Sequence, residues 1–314
     1  MKALITGVSG FVGRYLAQNL LKNGYEVWGG TRKFSAPFID GIRIIELSLE
    51  NVKNLKIQLN TVKPDIVFHL AGQSSVKDSW SHIYETFHSN VSLSLNLLEA
   101  IRMYDTENKV KVITVGSSEE YGLVNSKPIE ETSETNPGNP YGSSKLTLGK
   151  AAMYYAQNYN MDIIHARPFN HIGPGQKLGF VTSDFAKQVT DLEKQDEITE
   201  IFVGNLDSKR DFTDVRDIVN AYRLLAERGH SKEIYNVCSN VSTSIKEILN
   251  TFVGFSEKEI KVSIDASKFR PIDIPDYYGS NQKLRNHTGW YPTINLEQSL
   301  LEIYEYWKGK ETCK

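Results

Sequence analysis

Lys2-Ala-Leu-Ile-Thr6-Gly7-Val-Ser-Gly10-Phe-Val-Gly13 is the stretch whose reading decides the fold. It begins as an apolar run of strand length. It ends by opening a helical pattern continued by Tyr15, Leu16, Leu20 and Leu21, so the glycines at 7, 10 and 13 stand between strand and helix. There Gly7 permits a tight turn. Gly10 removes a side chain where a pyrophosphate approaches backbone N–H groups, and Gly13 lets helix and strand pack closely, with Phe11 and Val12 completing the turn. Without a ligand the same stretch is a glycine-rich βα turn.

Further along, residues 25–30 read as a second strand, and its tip is Thr31-Arg32-Lys33. An acid at that tip binds a ribose 2′-hydroxyl, whereas an arginine accommodates a 2′-phosphate. Two cations and no carboxylate favour NADP(H), with NAD(H) the alternative cofactor and a solvated basic loop the plain reading. A third strand at 42–47 precedes a helix from Val52, and Asp65-Ile-Val-Phe-His-Leu70 enters Ala71-Gly72-Gln73, a small-residue turn able to border a dinucleotide. This alternation predicts an α/β fold of Rossmann type, a doubly wound parallel sheet with helices on both faces. A long helix over 84–103 and a strand over 110–115 follow. That strand delivers Gly116-Ser117-Ser118-Glu119-Glu120-Tyr121-Gly122 at its carboxyl end, the edge where open α/β sheets bind ligands.

Asn139-Pro140-Tyr141-Gly142-Ser143-Ser144-Lys145 opens the next helical run, over 146–159. Proline suits a first helical position. Residues four apart share a helix face, so the Lys145 ammonium can lie beside the Tyr141 phenol and is expected to lower a pKa that is ordinarily about 10. A phenol tuned toward neutrality passes protons to and from a reacting oxygen. Spacing alone is a weak signal, because Tyr304/Lys308 and Tyr306/Lys310 repeat it in a C-terminal amphipathic helix. The strand-end serine gives the first pair its context: Ser117 can hydrogen-bond a substrate oxygen that Tyr141 and Lys145 also reach. Glu119 adds a carboxylate that is an acid, a base, a sugar ligand or merely solvated.

The remainder predicts helices at 180–192, 217–227, 244–252 and 296–307, strands at 198–203 and 234–237, and turns at Phe169-Asn170-His171-Ile-Gly-Pro-Gly175 and Phe269-Arg-Pro-Ile-Asp273. His171 has no partner at metal-ligand spacing, so no metal site is expected. The chain has 314 residues and a formal charge of −2, which suits one large domain or two intertwined ones. It offers no basic block for nucleic acid and no apolar run long enough to span a bilayer. A strand starting at Lys2 leaves no room for a signal peptide. Cys238 and Cys313 read as free thiols of a reducing cytoplasm.

These stretches together resemble the extended short-chain dehydrogenase/reductases, in their nucleotide-sugar branch. The resemblance is carried by Thr6-Gly7-Val-Ser-Gly10-Phe-Val-Gly13, His69-Leu-Ala-Gly, Ser117-Ser-Glu-Glu-Tyr-Gly122, Tyr141-Gly-Ser-Ser-Lys145, Arg210-Asp-Phe and Arg167-Pro-Phe-Asn-His-Ile-Gly-Pro-Gly175, and runs nearly end to end. It implies a catalytic set of Ser117, Tyr141 and Lys145, with Glu119 as a further candidate. It implies cofactor contacts from Gly7, Gly10, Phe11, Val12, Gly13, Thr31, Arg32, Leu70, Ala71, Gly72, Tyr141 and Lys145. Ser118, Asn170, Arg210 and Arg270 match positions that hold a nucleotide-diphosphate sugar, and Asn90 one that supports the active-site helix. Ser48 departs from an aspartate that many relatives set against adenine. The implied domains are residues 1–168 with about 211–237 for NADP, and 169–210 with 238–314 for the sugar nucleotide. The implied reaction is NADPH-dependent reduction of a 4-keto-6-deoxy sugar nucleotide, with GDP-4-keto-6-deoxy-D-mannose going to GDP-D-rhamnose. The alternatives are a GDP-mannose 4,6-dehydratase, a 4-reductase for a UDP-linked keto-deoxy-N-acetylhexosamine, and an NADP-sensing binding protein. A homodimer is expected through helices near 90–103 and 141–159.

Overall fold

Strands that are apolar at consecutive positions are covered on both faces. The computed structural model, which describes residues 1–32, 39–107, 109–194, 199–265 and 274–310, carries this through. β1 (Lys2–Thr6), β2 (Glu26–Thr31), β3 (Arg43–Glu46), β4 (Ile66–His69), β5 (Lys111–Val115) and β6 (Ile163–Pro168) lie in one parallel sheet ordered 3-2-1-4-5-6. The later strand Ile234–Val237 extends it beyond β6 to seven strands. Thr6 pairs with His69, His69 with Thr114 and Val115 with Ala166, so the carboxyl ends of the central strands form one ledge. The order reverses between β1 and β4, where doubly wound sheets open a crevice for ligands.

Helices α1 (Phe11–Lys22), α2 (Val52–Val62), α3 (Val76–Ser81), α4 (Ile83–Phe87), α5 (Leu93–Tyr104), α6 (Pro140–Asn158), α7 (Val181–Leu192), α8 (Val215–Arg228), α9 (Ile245–Gly254), α10 (Gln282–Thr288) and α11 (Leu296–Gly309) pack around separate cores. Leu16 and Leu20 of α1 meet Ile218, Tyr222 and Leu225 of α8 on one face of the sheet, with Trp290 among them. Leu55, Leu59, Leu97, Leu98, Ala152 and Ala156 fill the other face from α2, α5 and α6. Phe185, Val189, Ile248, Phe252, Ile303 and Trp307 form a third core under α7, α9 and α11. The short strands are β7 (Asn170–Ile172), β8 (Thr199–Val203), β9 (Lys209–Arg210), β10 (Phe212–Asp214), β11 (Ile234–Val237), β12 (Thr243–Ser244), β13 (Ile260–Ile264) and β14 (Asp276–Tyr277). Of these, β11 completes the large sheet and the rest pair among themselves.

The helix expected over 84–103 is interrupted. A wide π-turn, His88–Ser92, separates α4 from α5 and turns Asn90 inward, a kind of bulge often found at functional sites. The strand β13 and the helix α10 add to the expected elements. Ile260-Lys-Val-Ser-Ile264 alternates as a strand does, though of its apolar residues only Ile260 is buried, and α10 buries only Leu284 and Thr288. Lys33, Arg270, Cys313 and the expected turn at 269–273 lie outside the described residues. Cys238 is a free, buried cysteine. No described helix is long and apolar enough to cross a membrane.

Trp290 is 1% exposed, and its indole N–H donates to the Asp217 carbonyl at 3.0 Å. Trp290→Ala is expected to destabilise the protein by roughly 3–5 kcal/mol, by loss of packing and of the cavity's neighbours. Chemical denaturation followed by circular dichroism measures this.

Candidate functional site

At the β1–α1 turn, Gly7 has φ of +74°, and its carbonyl accepts from the Gly10 N–H at 3.0 Å. A Cβ on Gly13 would fall 2.3 Å from the Gly7 carbonyl oxygen, so the helix sits on the turn only because that side chain is absent. Gly10 caps α1 with no side-chain hydrogen bond, and the first turn holds no acid. The opening N–H groups and the positive end of the helix dipole are therefore available to an anion. Phe11 stacks on His171 at 6.3 Å with planes 9° apart. Phe11 and Val12 are partly buried against the first core. The second turn is drawn against the first: Leu70 N–H donates to the Thr6 carbonyl and Ala71 N–H to Thr6 Oγ1, both at 3.2 Å, and Gly72 follows, exposed. Thr31 is buried at the tip of β2, with Arg32 exposed beside it.

Asn139 and Pro140 start α6 as their types predict. The Asn139 side-chain oxygen takes the Gly142 N–H at 2.8 Å and Pro140 stands in the first turn. This sets Tyr141 and Lys145, 9% and 7% exposed, on the buried side. Tyr141 N–H donates to Ser79 Oγ at 3.2 Å. Ser117 lies beyond the end of β5 and caps the 3₁₀ turn Ser118–Glu120. Its hydroxyl accepts from the Glu119 N–H at 3.2 Å and reaches the Tyr141 phenol, favouring the phenolate.

The expected lowering of the phenol by Lys145 is not what the structure has. Burial pushes the Tyr141 phenol up, and the Glu119 and Glu120 carboxylates add to the rise against the pull of Ser117. The Lys145 ammonium is 5.9 Å from the ring centroid and donates to the Val115 carbonyl at 2.9 Å instead. Burial brings that ammonium down to about 8. Tyr304 and Lys308, which repeat the spacing in α11, are the closer couple, hydrogen-bonded at 3.3 Å.

The supporting polar groups are those that sequence reading mostly missed. Asn90, as the resemblance implies for its position, braces α6: its amide takes the Gln73 N–H at 2.8 Å and donates to Ser144 Oγ at 3.0 Å. His69 is neutral, its pKa taken down to about 3 by burial and then by Lys145. It lies between Thr6 Oγ1 at 2.8 Å and Ser94 Oγ at 2.7 Å. Glu119, half-buried, accepts from the Asn139 amide at 2.7 Å.

On the far side, the Ser118 carbonyl accepts from the Tyr277 hydroxyl, and Tyr277 pairs in β14 with Arg210 of β9. The Arg210 guanidinium donates to the Lys209 and Ile274 carbonyls at 2.7 Å. Asp211, its acidity weakened to about 6 by burial against several hydrogen bonds, accepts from the N–H groups of Ser239 and Asn240 at 2.7 and 2.9 Å. Asn170 is exposed at the start of β7. Only its motif marks Asp211 in the sequence, and its partners are remote. Among the described residues no cluster of three or more metal-ligating side chains gathers.

The β1–α1 turn and the Ser117, Tyr141 and Lys145 group lie along one edge of the sheet, with β14 and β9 held against Ser118 through Tyr277. The family described as GDP-mannose 4,6 dehydratase matches residues 4–303. This chain belongs to that family. It is 32% identical to the GDP-6-deoxy-D-mannose reductase of Pseudomonas aeruginosa over 311 residues, covering 98% of each chain. It is 29% identical to the GDP-mannose 4,6-dehydratase of Vibrio cholerae over 344 residues, covering 96% of this chain and 92% of that one. The structure of RMD from Pseudomonas aeruginosa complexed with NADPH superposes with a TM-score of 0.86 at 30% identity, over 98% of this chain and 99% of that one. Family members of both names, reductase and dehydratase, therefore share the fold and most of the chain.

The family's lysine position has a measurable signature here. Lys145 is charged below pH of about 8 and neutral above it. In carbon-13 spectra of lysine-labelled protein, one resonance is expected to titrate near pH 8, below the others, and to vanish in Lys145→Arg.

Proposed function

We propose that this protein reduces the 4-keto group of GDP-4-keto-6-deoxy-D-mannose with NADPH, giving GDP-D-rhamnose. The observation that carries the reading is the gathering of Ser117, Tyr141 and Lys145 at the end of β5, in a chain 32% identical over 98% of its length to a GDP-6-deoxy-D-mannose reductase. A reductase needs its tyrosine protonated before turnover, because the phenol must give that proton to the new alcohol. The open N–H groups of α1, the side-chain-free turn at Gly7 and Gly13, and the exposed Arg32 fit the cofactor. Gly7, Gly10, Phe11, Val12, Gly13, Leu70, Ala71 and Gly72 line its diphosphate and adenosine half, and Thr31 with Arg32 receives a 2′-phosphate.

NADPH, when bound, supplies the hydride. Ser117 donates a hydrogen bond to the keto oxygen and steadies the charge that grows there. Tyr141 passes its proton to that oxygen. Lys145 would hydrogen-bond the nicotinamide ribose, and its ammonium would relay a solvent proton back to the Tyr141 phenolate. Ser118, Asn170, Arg210 and Arg270 hold the sugar nucleotide, the arginines at its diphosphate through paired N–H donors. The large sheet with its helices is the NADP unit, and the third core with its strands is the sugar-nucleotide unit.

A dehydratase is the second reading, supported by the family match and by a half-buried carboxylate, Glu119, beside Ser117 and Tyr141, which would serve as the base at carbon 5 of the sugar. Stoichiometry separates the two. Given GDP-, UDP- and dTDP-linked 4-keto-6-deoxy sugars, the protein is expected to consume one NADPH per GDP-linked sugar. Turnover of GDP-mannose with no net NADPH use would replace the proposal by the dehydratase. Tyr141→Phe is expected to bind NADPH unchanged, by fluorescence titration, and to lose roughly 10²–10⁴-fold in kcat.

We infer that the enzyme is a homodimer of the cytoplasm; the exposure of Trp80, Ile83, Tyr84, Met103 and Tyr154 along α3, α4, α5 and α6 supports the dimer. Leu97 and Leu98 belong to the internal core and take no part. Light scattering is expected to give twice the chain mass, and a single chain mass would remove the dimer.

A further inference from the structure

Behind Ser117 lies a group of charged side chains shut off from solvent. Glu120 and His165 are fully buried and Arg167 is 4% exposed. One Glu120 oxygen accepts from the Ser117 N–H at 2.9 Å and meets His165 Nε2 at 3.0 Å. The other accepts from Arg167 Nε at 2.7 Å. Each partner is held in turn. His165 Nδ1 lies 2.9 Å from Thr114 Oγ1, and the Arg167 guanidinium lies 4.7 Å over the ring of Tyr121. Tyr121 donates to Asn236 Oδ1 at 2.7 Å. The group is walled by backbone. A Cβ on Gly116 would fall 1.9 Å from the Glu120 carboxylate, and one on Gly149 of α6 would fall 2.7 Å from His165 Nε2. The walls are therefore the two segments that carry Ser117 and Tyr141.

A buried ion pair of this kind does little for stability alone, since apolar side chains of similar volume often do as well or better. What they lack is an acceptor for the Ser117 N–H. That N–H would otherwise be buried and unpaired, and the serine would be free to rotate its backbone. The Ser117 capping contact adds a second restraint from the same turn, with the Ser117 hydroxyl accepting from Glu119 N–H.

We propose that Glu120, seated on His165 and Arg167, is a positioning residue: its carboxylate fixes the Ser117 backbone so that the serine hydroxyl stays against the Tyr141 phenol. The proposal rests on the reductase reading for its catalytic consequence and on geometry alone for the fixed serine. Glu120→Leu removes the acceptor. Glu120→Gln keeps an oxygen for the serine N–H but loses the charge opposite Arg167.

The test compares these substitutions in the parent enzyme and in Ser117→Ala, after circular dichroism and NADPH titration establish that each variant is folded. In the parent, Glu120→Leu is expected to lower kcat roughly 10²-fold, the scale of losing one well-aimed hydrogen-bond donor. KM and NADPH affinity should move less than about twofold, because ground-state binding is untouched. In Ser117→Ala the same substitution should change kcat less than about twofold, since residues acting as one unit are not additive. Equal losses in both backgrounds, or a folded Glu120→Leu enzyme with full kcat, would overturn the proposal. If the leucine variant does not fold, the same comparison with Glu120→Gln decides: a smaller kcat loss confined to the serine-containing background supports the proposal, and an equal loss in both overturns it. If the parent turns over no keto sugar nucleotide, the reductase reading falls and amide exchange at Ser117 decides the geometric half by itself. Protection kept in Glu120→Gln and lost in Glu120→Leu supports a fixed acceptor, and indistinguishable protection in the two overturns it.

Discussion

The candidate site depends on one contact, that of the α6 backbone with the turn at Ser118–Glu120. A Cβ on Gly142 would lie 2.4 Å from the Glu119 carbonyl oxygen, so helix and turn touch main chain to main chain. That approach brings a helix-borne phenol within reach of a strand-end hydroxyl. A side chain at 142 would separate the two, and near-attack geometry of this kind is sensitive to displacements of about 1 Å. The contact is then locked from several sides. Asn139 commits one end of its amide to the Gly142 N–H and the other to Glu119. Ser79 takes the Tyr141 N–H, and Asn90 ties Ser144 to Gln73.

The crevice is correspondingly dense in buried polar groups, which is costly unless each is partnered. The neutral His69 bonded to Thr6 and Ser94, the Lys145 ammonium on the Val115 carbonyl and the Glu120 carboxylate among its donors meet that condition. A few buried atoms do not: Gln73 Oε1 and the Tyr222 hydroxyl have no hydrogen-bond partner among the described residues. Gln73 sits on the turn that borders the crevice. Its backbone N–H and carbonyl bond to Asn90 and its side-chain nitrogen donates to the Ser75 carbonyl at 2.7 Å, while its side-chain oxygen is left over.

Much of this was legible in the sequence wherever the cause was local. A strand, three glycines and a helical pattern within a dozen residues specify the βα turn, and each glycine has a steric reason. Asn139 and Pro140 announce the start of α6 because capping is a matter of neighbouring residues. What depends on the return of distant chain was not legible. Glu120 meets His165 and Arg167 across 45 and 47 residues, and Asn90, which meets Ser144 across 54, was marked only by the family resemblance. The π-turn at His88–Ser92 follows from those tertiary bonds, which override a helical pattern that runs unbroken in the sequence. The direction of the Tyr141 shift has the same cause. Helical spacing puts Lys145 on the right face but says nothing of the Val115 carbonyl that claims its ammonium, nor of how deeply the phenol is buried.

Glu119 shows how one carboxylate can serve either chemistry of the family. As a base it would have to turn an oxygen toward a sugar carbon. In this structure one oxygen is held by the amide that also caps α6, so moving the carboxylate means loosening the start of the helix that bears Tyr141 and Lys145. Left where it is, its charge opposes formation of the phenolate, whether the phenol is giving its proton to a new alkoxide or a phenolate is needed to take one from an alcohol. The hydrogen bond between Asn139 and Glu119 therefore sets where that negative charge sits relative to the phenol, and with it how tightly Tyr141 holds its proton in either direction.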